Sequence, residues 1–192
     1  KVCVEDPQNA PLDTGSAVSA PPLWTSGWLV LGLASGDVVV IRGFDGHELW
    51  RRPLGGTLLM RPAIAGGRLY VPVEEGRIAV FELADGSQVW ERALGGSPRD
   101  LLPLDALFVG STDNYLYRLS IDDGAVDWQM RTGGDVIGAP SVDAERVYFL
   151  ALDNIVRALD RTSGVQQWRQ PLTGRPTAGP ALVGDLLVVA GL

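Results

Sequence analysis

Asn114-Tyr-Leu-Tyr-Arg-Leu-Ser-Ile-Asp-Asp-Gly-Ala-Val-Asp-Trp128 sets the plan of the whole chain, and Asn154-Ile-Val-Arg-Ala-Leu-Asp-Arg-Thr-Ser-Gly-Val-Gln-Gln-Trp168 repeats it. Each stretch opens on an Asn, a residue that enters left-handed backbone at little cost. An apolar run follows, then a glycine, then a Trp four positions later. Working outward, Trp50, Trp90, Trp128 and Trp168 recur at spacings of 40, 38 and 40 residues. Gly46, Gly86, Gly124 and Gly164 precede them by four, themselves preceded by Asp45, Asp85, Asp123 and Ser163. Asp-Gly between apolar runs is a hairpin signal and predicts a type I′ turn, in which both central residues have positive φ.

A second turn column lies fourteen residues before each Trp, at Gly36, Gly76, Asn114 and Asn154. Between the turns, Val38, Ile78, Leu116 and Val156 align, as do Ile41, Phe81, Leu119 and Leu159. Val30, Tyr70, Phe108 and Tyr148 mark a strand before the first turn. Pro22, Pro62 and Pro140 mark an earlier one, where the third unit has Asp100 and a fifth begins at Pro180. Each unit therefore reads as four short antiparallel strands, with the Trp on the outermost. About 40 residues and four strands make one β-propeller blade. The fold class is all-β, with blades at 17–54, 57–94, 96–132 and 135–172, a partial blade at 175–192 and an N-terminal extension at 1–16. A blade cannot bury both its faces alone, so the Trp column is expected between blades, as a packing anchor rather than a ligand platform.

Composition agrees. Hydrophobic residues make up 46% and charged residues 20% of the 192, with 24 Gly and 13 Pro, which suits many turns and short strands. No apolar run reaches the ~20 residues of a membrane helix. A net charge of −7 argues against a nucleic-acid surface. Cys3 is the single cysteine, so neither an intrachain disulfide nor a cysteine metal cluster can form. No lipobox of small residues precedes Cys3, and lipidation is not assigned. The chain starts on Lys1 without a signal-peptide apolar core.

The two quoted stretches resemble the PQQ-like propeller repeat, and the likeness runs from about residue 17 to 192. WD40 repeats fit less well, because their Trp-Asp pair ends a strand. The resemblance implies two settings. Quinoprotein dehydrogenases hold a quinone and calcium on the propeller axis. Non-enzymatic scaffolds include the outer-membrane assembly lipoprotein BamB and its extracytoplasmic relatives. Many alcohol-oxidising quinoproteins carry a vicinal Cys-Cys disulfide, which Cys3 alone cannot supply. A calcium site needs converging oxygen ligands, whereas Asp45, Asp85, Asp113 and Asp153 fall in turns. His47, the one histidine, sits at a hairpin tip, poorly placed for a catalytic triad. The pairs Gly55-Gly56, Gly95-Gly96 and Gly133-Gly134 lack the following helix of a phosphate cradle and read as inter-blade linkers.

Eight of the arginines (Arg51, Arg52, Arg61, Arg92, Arg99, Arg131, Arg169 and Arg175) lie in or beside these linkers, against Glu91, Asp100 and Asp135. They are solvated charges or a docking face for a protein partner. The expected function is a non-enzymatic scaffold of the bacterial cell envelope, without catalytic, cofactor or metal residues, periplasmic or extracytoplasmic and outer-membrane associated. The alternatives are a fragment of a quinoprotein dehydrogenase and the extracytoplasmic sensor domain of a receptor. PQQ-like propellers tend to many blades, so the residues are expected to be an arc of a seven- or eight-bladed ring, or one completed by another chain.

Overall fold

A computed structural model describes residues 13–58 and 60–192; Cys3 and most of the 1–16 extension lie outside them. Two compact units divide between Glu91 and Arg92. In the first, β1 (Leu23–Thr25), β2 (Trp28–Gly32), β3 (Asp37–Arg42) and β4 (Glu48–Pro53) form an antiparallel sheet in chain order. β5 (Ala63–Ala65), β6 (Arg68–Val73), β7 (Arg77–Glu82) and β8 (Gln88–Ala93) form another. In the second unit, β9 (Pro98–Pro103) to β12 (Val126–Arg131), through β10 (Leu107–Ser111) and β11 (Tyr115–Leu119), make a third sheet. β13 (Val136–Val142), β14 (Arg146–Ala151), β15 (Ile155–Asp160) and β16 (Gln166–Pro171) make a fourth, and β17 (Ala181–Val183) pairs with β18 (Leu186–Val188) alone. This up-and-down order is that of propeller blades. The Trp column lies on the fourth strand of each full sheet.

The middle strands are buried on both faces, which explains why they read as unbroken apolar runs rather than alternating ones. Val38, Val39, Val40 and Ile41 of β3 are all essentially inaccessible. Register assigns them to opposite sides. Leu23, Val30, Val40 and Trp50 stand in one row across the first sheet and pack on Leu69, Val71, Ala79 and Phe81 of the second. Leu31, Leu33, Val39 and Ile41 form a separate cluster. In the second unit Phe108 and Leu116 join Val136, Val147, Phe149 and Leu159, with Trp128 against them.

The pairing of the third and fourth strands slips by one residue beside the Trp. Val40 faces Trp50 but Ile41 faces Glu48, and the same slip follows Arg118 opposite Trp128 and Ala158 opposite Trp168. A bulge bends the strand and re-aims the next side chain, here the indole.

Both turn columns contain left-handed residues. Gly36, Gly76, Asn114 and Asn154 have φ of 85°, 81°, 68° and 61°. In the first sheet this residue closes a three-residue loop, with Gly36 N–H donating to Leu33 O and Leu33 N–H to Asp37 O, the type I plus bulge connection. The Asp-Gly turn corrects the sequence expectation. Only the glycines have positive φ (70°, 69°, 70° and 72°), and the preceding residue does not. The loop is four residues long: Gly46 N–H donates to Arg42 O while Arg42 N–H donates to His47 O, a pattern kept at Gly86, Gly124 and Gly164. Asp is used for its side chain instead. The Oδ1 atoms of Asp45, Asp85 and Asp123 accept from the N–H two residues on, in His47, Ser87 and Ala125, an Asx turn.

Gly76→Val forces a β-branched residue into left-handed backbone, whereas exposed Ser87 carries no such demand. Gly76→Val is expected to cost at least about 2 kcal/mol more than Ser87→Val in urea denaturation. Equal midpoints would remove the turn assignment.

Candidate functional site: blade seams and the linker rim

Each seam within a unit is built on the Trp of one blade and the turn glycine of the next. The Trp50 ring lies against Gly86 so closely that a Cβ there would stand 2.5 Å from the indole, and Gly164 meets Trp128 at 2.7 Å in the same way. The indole N–H completes the contact. Trp50 Nε1 donates to Leu83 O at 2.8 Å, and Trp128 Nε1 to Arg161 O at 3.2 Å. Glycine is thus required twice, for its φ and for the flat approach of the ring. Trp50 also packs on Phe81 of the next sheet, while Trp90, Trp128 and Trp168 contact Tyr70, Phe108 and Tyr148 of their own.

Burial along the column is unequal. Trp50 and Trp90 are 6% and 7% exposed, Trp128 is half-buried, and Trp168 is 39% exposed. Only the pair β17–β18 follows Trp168 among the described residues, so its exposure is that of the last full sheet described.

A second clasp ties the linkers to the Gly/Asn turns. Leu54, Thr132 and Leu172 N–H donate to Gly36, Asn114 and Asn154 O of the blade just finished. The next blade answers with an acidic side chain. Gly133 N–H donates to Asp153 Oδ2 at 2.9 Å, and Thr57 N–H donates to Glu74 Oε2 at 3.2 Å. Gly95 and Gly96 lie so close to Asp113 that a Cβ at either would stand under 3 Å from it. These contacts account for the paired glycines.

Asp153 also receives Arg157 Nη1 and Nη2 at 3.0 and 2.5 Å, a pair only 13% and 6% exposed. Burial alone would raise the Asp153 pKa; hydrogen bonds from Arg157 and Gly133, with the Arg157 charge, outweigh it and hold the carboxyl below its usual range. At the equivalent place in the third sheet, Tyr117 OH donates to Asp113 Oδ2 at 2.5 Å. Burial, then that hydrogen bond, push the phenol well up. The column Val39, Ala79, Tyr117, Arg157, apolar twice and then polar, was the sequence signal for these pairs.

Asp45 is bound to Arg42, and Asp85 to Ser87. His47 is exposed at its turn, and no group of three or more His, Cys, Asp or Glu among the described residues is arranged to hold a metal. No described helix is long and apolar enough to cross a membrane. Apart from half-buried Arg92, the linker arginines divide into two sets. Arg52 Nε and Nη2 donate to Gly86 O and Asp85 O at 2.8 and 3.0 Å, with its guanidinium over Trp50. Arg51 pairs with Glu48, and Arg99 with Asp135. Arg61, Arg131, Arg169 and Arg175 are exposed and form no ion pair among the described residues.

With the repeat and its seams established, comparison identifies the lineage. The family model described as outer membrane protein assembly factor BamB matches residues 7–102 and 74–191. The chain belongs to the BamB family. It is 35% identical, over 90% of its length, to the outer membrane protein assembly factor BamB of Xanthomonas campestris pv. campestris, and covers 47% of that relative. The chain therefore spans about half the length of the curated relative it matches. The crystal structure of BamB from Moraxella catarrhalis superposes with a TM-score of 0.67 at 19% identity, covering 94% of this chain and 70% of that one. The C-terminal WD40 domain of Sif2 gives 0.69 at 14% identity, covering 83% and 48%. These likenesses show the propeller fold, and the BamB family relation agrees with the repeat.

Two variants test the seam chemistry. Trp50→Ala removes a buried anchor and is expected to cost about 3–5 kcal/mol in urea denaturation, with Phe44→Ala, at an exposed ring, costing less than half as much. Matching losses would show that cross-blade stacking is not what the column contributes. Asp153→Ala strands a buried guanidinium and is expected to cost about 3–5 kcal/mol at neutral pH. Because the folded Asp153 pKa is depressed, its stabilisation is present above the unfolded value and is lost as pH falls through the folded one. The difference between wild type and Asp153→Ala should therefore shrink on acidification; a constant difference would contradict the ion pair.

Proposed function

We propose that the chain is a non-enzymatic scaffold segment of the bacterial envelope that docks protein partners in outer-membrane assembly. The match to the BamB family along both halves of the chain carries this reading. The distribution of side-chain work supports it. The repeated Trp, Gly, Asn and acidic residues serve seams, turns and linker clasps, while exposed arginines on the linkers remain for contact with a partner. The site of action is extracytoplasmic, on the periplasmic side of the outer membrane. Coverage of about half the curated relative supports the further reading that these blades belong to a larger propeller of seven or eight, completed by more chain or by a partner.

Deleting the encoding gene in its bacterium should lower the amount of folded outer-membrane β-barrel protein and raise detergent sensitivity, and resupplying the gene should restore both. Unchanged membranes after deletion would refute the assembly role. The quinoprotein alternative predicts that the full-length protein, given pyrroloquinoline quinone and calcium, retains quinone absorbance through gel filtration. Retention would replace the scaffold reading with a dehydrogenase one.

A further inference from the structure

The row of side chains that packs the third sheet onto the fourth contains a charge. Leu102, Phe108, Arg118 and Trp128 stand in line across β9 to β12. All but Arg118 join the apolar cluster with Val136, Val147, Phe149 and Leu159. In the other full sheets the place of Arg118 is held by Val40, Val80 and Ala158, directly across from Val30, Tyr70 and Tyr148. Arg118 Nη1 donates to Asp127 Oδ2, and its Nη2 lies 3.9 Å from Asp105 Oδ2 in the turn between β9 and β10. Arg161, in the turn between β15 and β16, reaches across the seam to the same carboxylate. Its Nη2 donates to Asp105 Oδ1, and its Nη1 to Asp143 O at 3.0 Å. The carbonyl of Arg161 is the one that accepts the Trp128 indole N–H, so side chain and backbone of one residue clasp the two sheets together.

The first unit closes its seam without carboxylates. Leu83, buried and apolar, stands at the place of Arg161 and accepts from Trp50 Nε1 at 2.8 Å, against 3.2 Å for Trp128. Arg52 grips the carbonyls of Asp85 and Gly86, where the third sheet has Met130. Trp50 is buried and Trp128 only half-buried. The second seam thus has the weaker apolar anchor and a greater share of charge. Arg118 and Arg161 are 17% and 20% exposed, and the Nε of each is buried without a hydrogen-bond partner among the described residues. Their desolvation is offset chiefly by the two carboxylates. Asp105 is 58% exposed, which lets dissolved ions reach the contact at that end.

We propose that Asp105 and Arg161, with Arg118 and Asp127 behind them, form an ionic latch that governs opening of the seam between the third and fourth sheets. Salt loosens it, while the apolar seam of the first unit stays shut. The latch concerns motion inside the second unit and holds whichever partner the scaffold meets. The test is deuterium exchange of indole N–H groups, read by NMR on the full chain labelled with nitrogen-15 tryptophan and assigned with Trp50→Phe and Trp128→Phe. Raising NaCl from about 0.05 to about 1 M is expected to speed Trp128 exchange at least about threefold and to leave Trp50 exchange within about a factor of 1.5. Asp105→Asn keeps the shape and removes the charge; it should make Trp128 exchange fast already at low salt and abolish most of the salt response. Equal salt responses at Trp50 and Trp128, no response at Trp128, or an undiminished response in Asp105→Asn would each overturn the latch. The wild-type comparison stands even where the variant folds poorly.

Discussion

The indole of one blade lying flat on the turn glycine of the next is the contact on which the other features depend. It asks for a large flat side chain on the outermost strand and for no side chain at all opposite it. It also asks for a carbonyl within reach of the indole N–H, which Leu83 and Arg161 supply from equivalent places in their turns. A single bulge beside Trp50, Trp128 and Trp168 aims the ring. Once these positions are fixed, the distance from Trp to glycine, the loop length and the position of the bulge are no longer independent. The repeat therefore recurs within two residues of constant length along the chain.

Much of this was legible because the repeat prints it in columns. Trp, Gly and Asn positions follow from spacing alone, and the strands follow from apolar runs between turn residues. The turn type was misread for a physical reason. Asp-Gly satisfies both a two-residue hairpin, through φ, and a four-residue one, through the Asp carboxylate accepting the N–H two residues on, and sequence does not say which property is in use. The second duty of Gly86 and Gly164, lying under an indole from another blade, belongs to a contact more than thirty residues away. No local pattern encodes it.

Charge followed a different logic. Counting arginines in linkers suggested a docking rim, yet the structure spends several of them internally. Arg52 holds the carbonyls of Asp85 and Gly86, and Arg51 and Arg99 are matched by carboxylates. Exposed ion pairs of this kind contribute little stability each; the carbonyl clamp and the buried Asp153–Arg157 pair matter more, because desolvated partners are costly to lose. What distinguishes a candidate contact residue is therefore the absence of an internal partner rather than the presence of charge.

That distinction bears on how a repeat scaffold can carry function at all. Positions under repeat constraint cannot vary without breaking a seam, so specificity must come from positions where blades differ. The fourth-strand site after the Trp is such a place, occupied by Arg51, Glu91, Gln129 and Arg169. Two of these are neutralised within their own unit and Gln129 needs no counter-ion, which leaves Arg169 as the charged residue free to meet another molecule. In a propeller arranged in this way the departures from the repeat are the positions open to contact, and the repeat holds them at fixed spacing along the linkers.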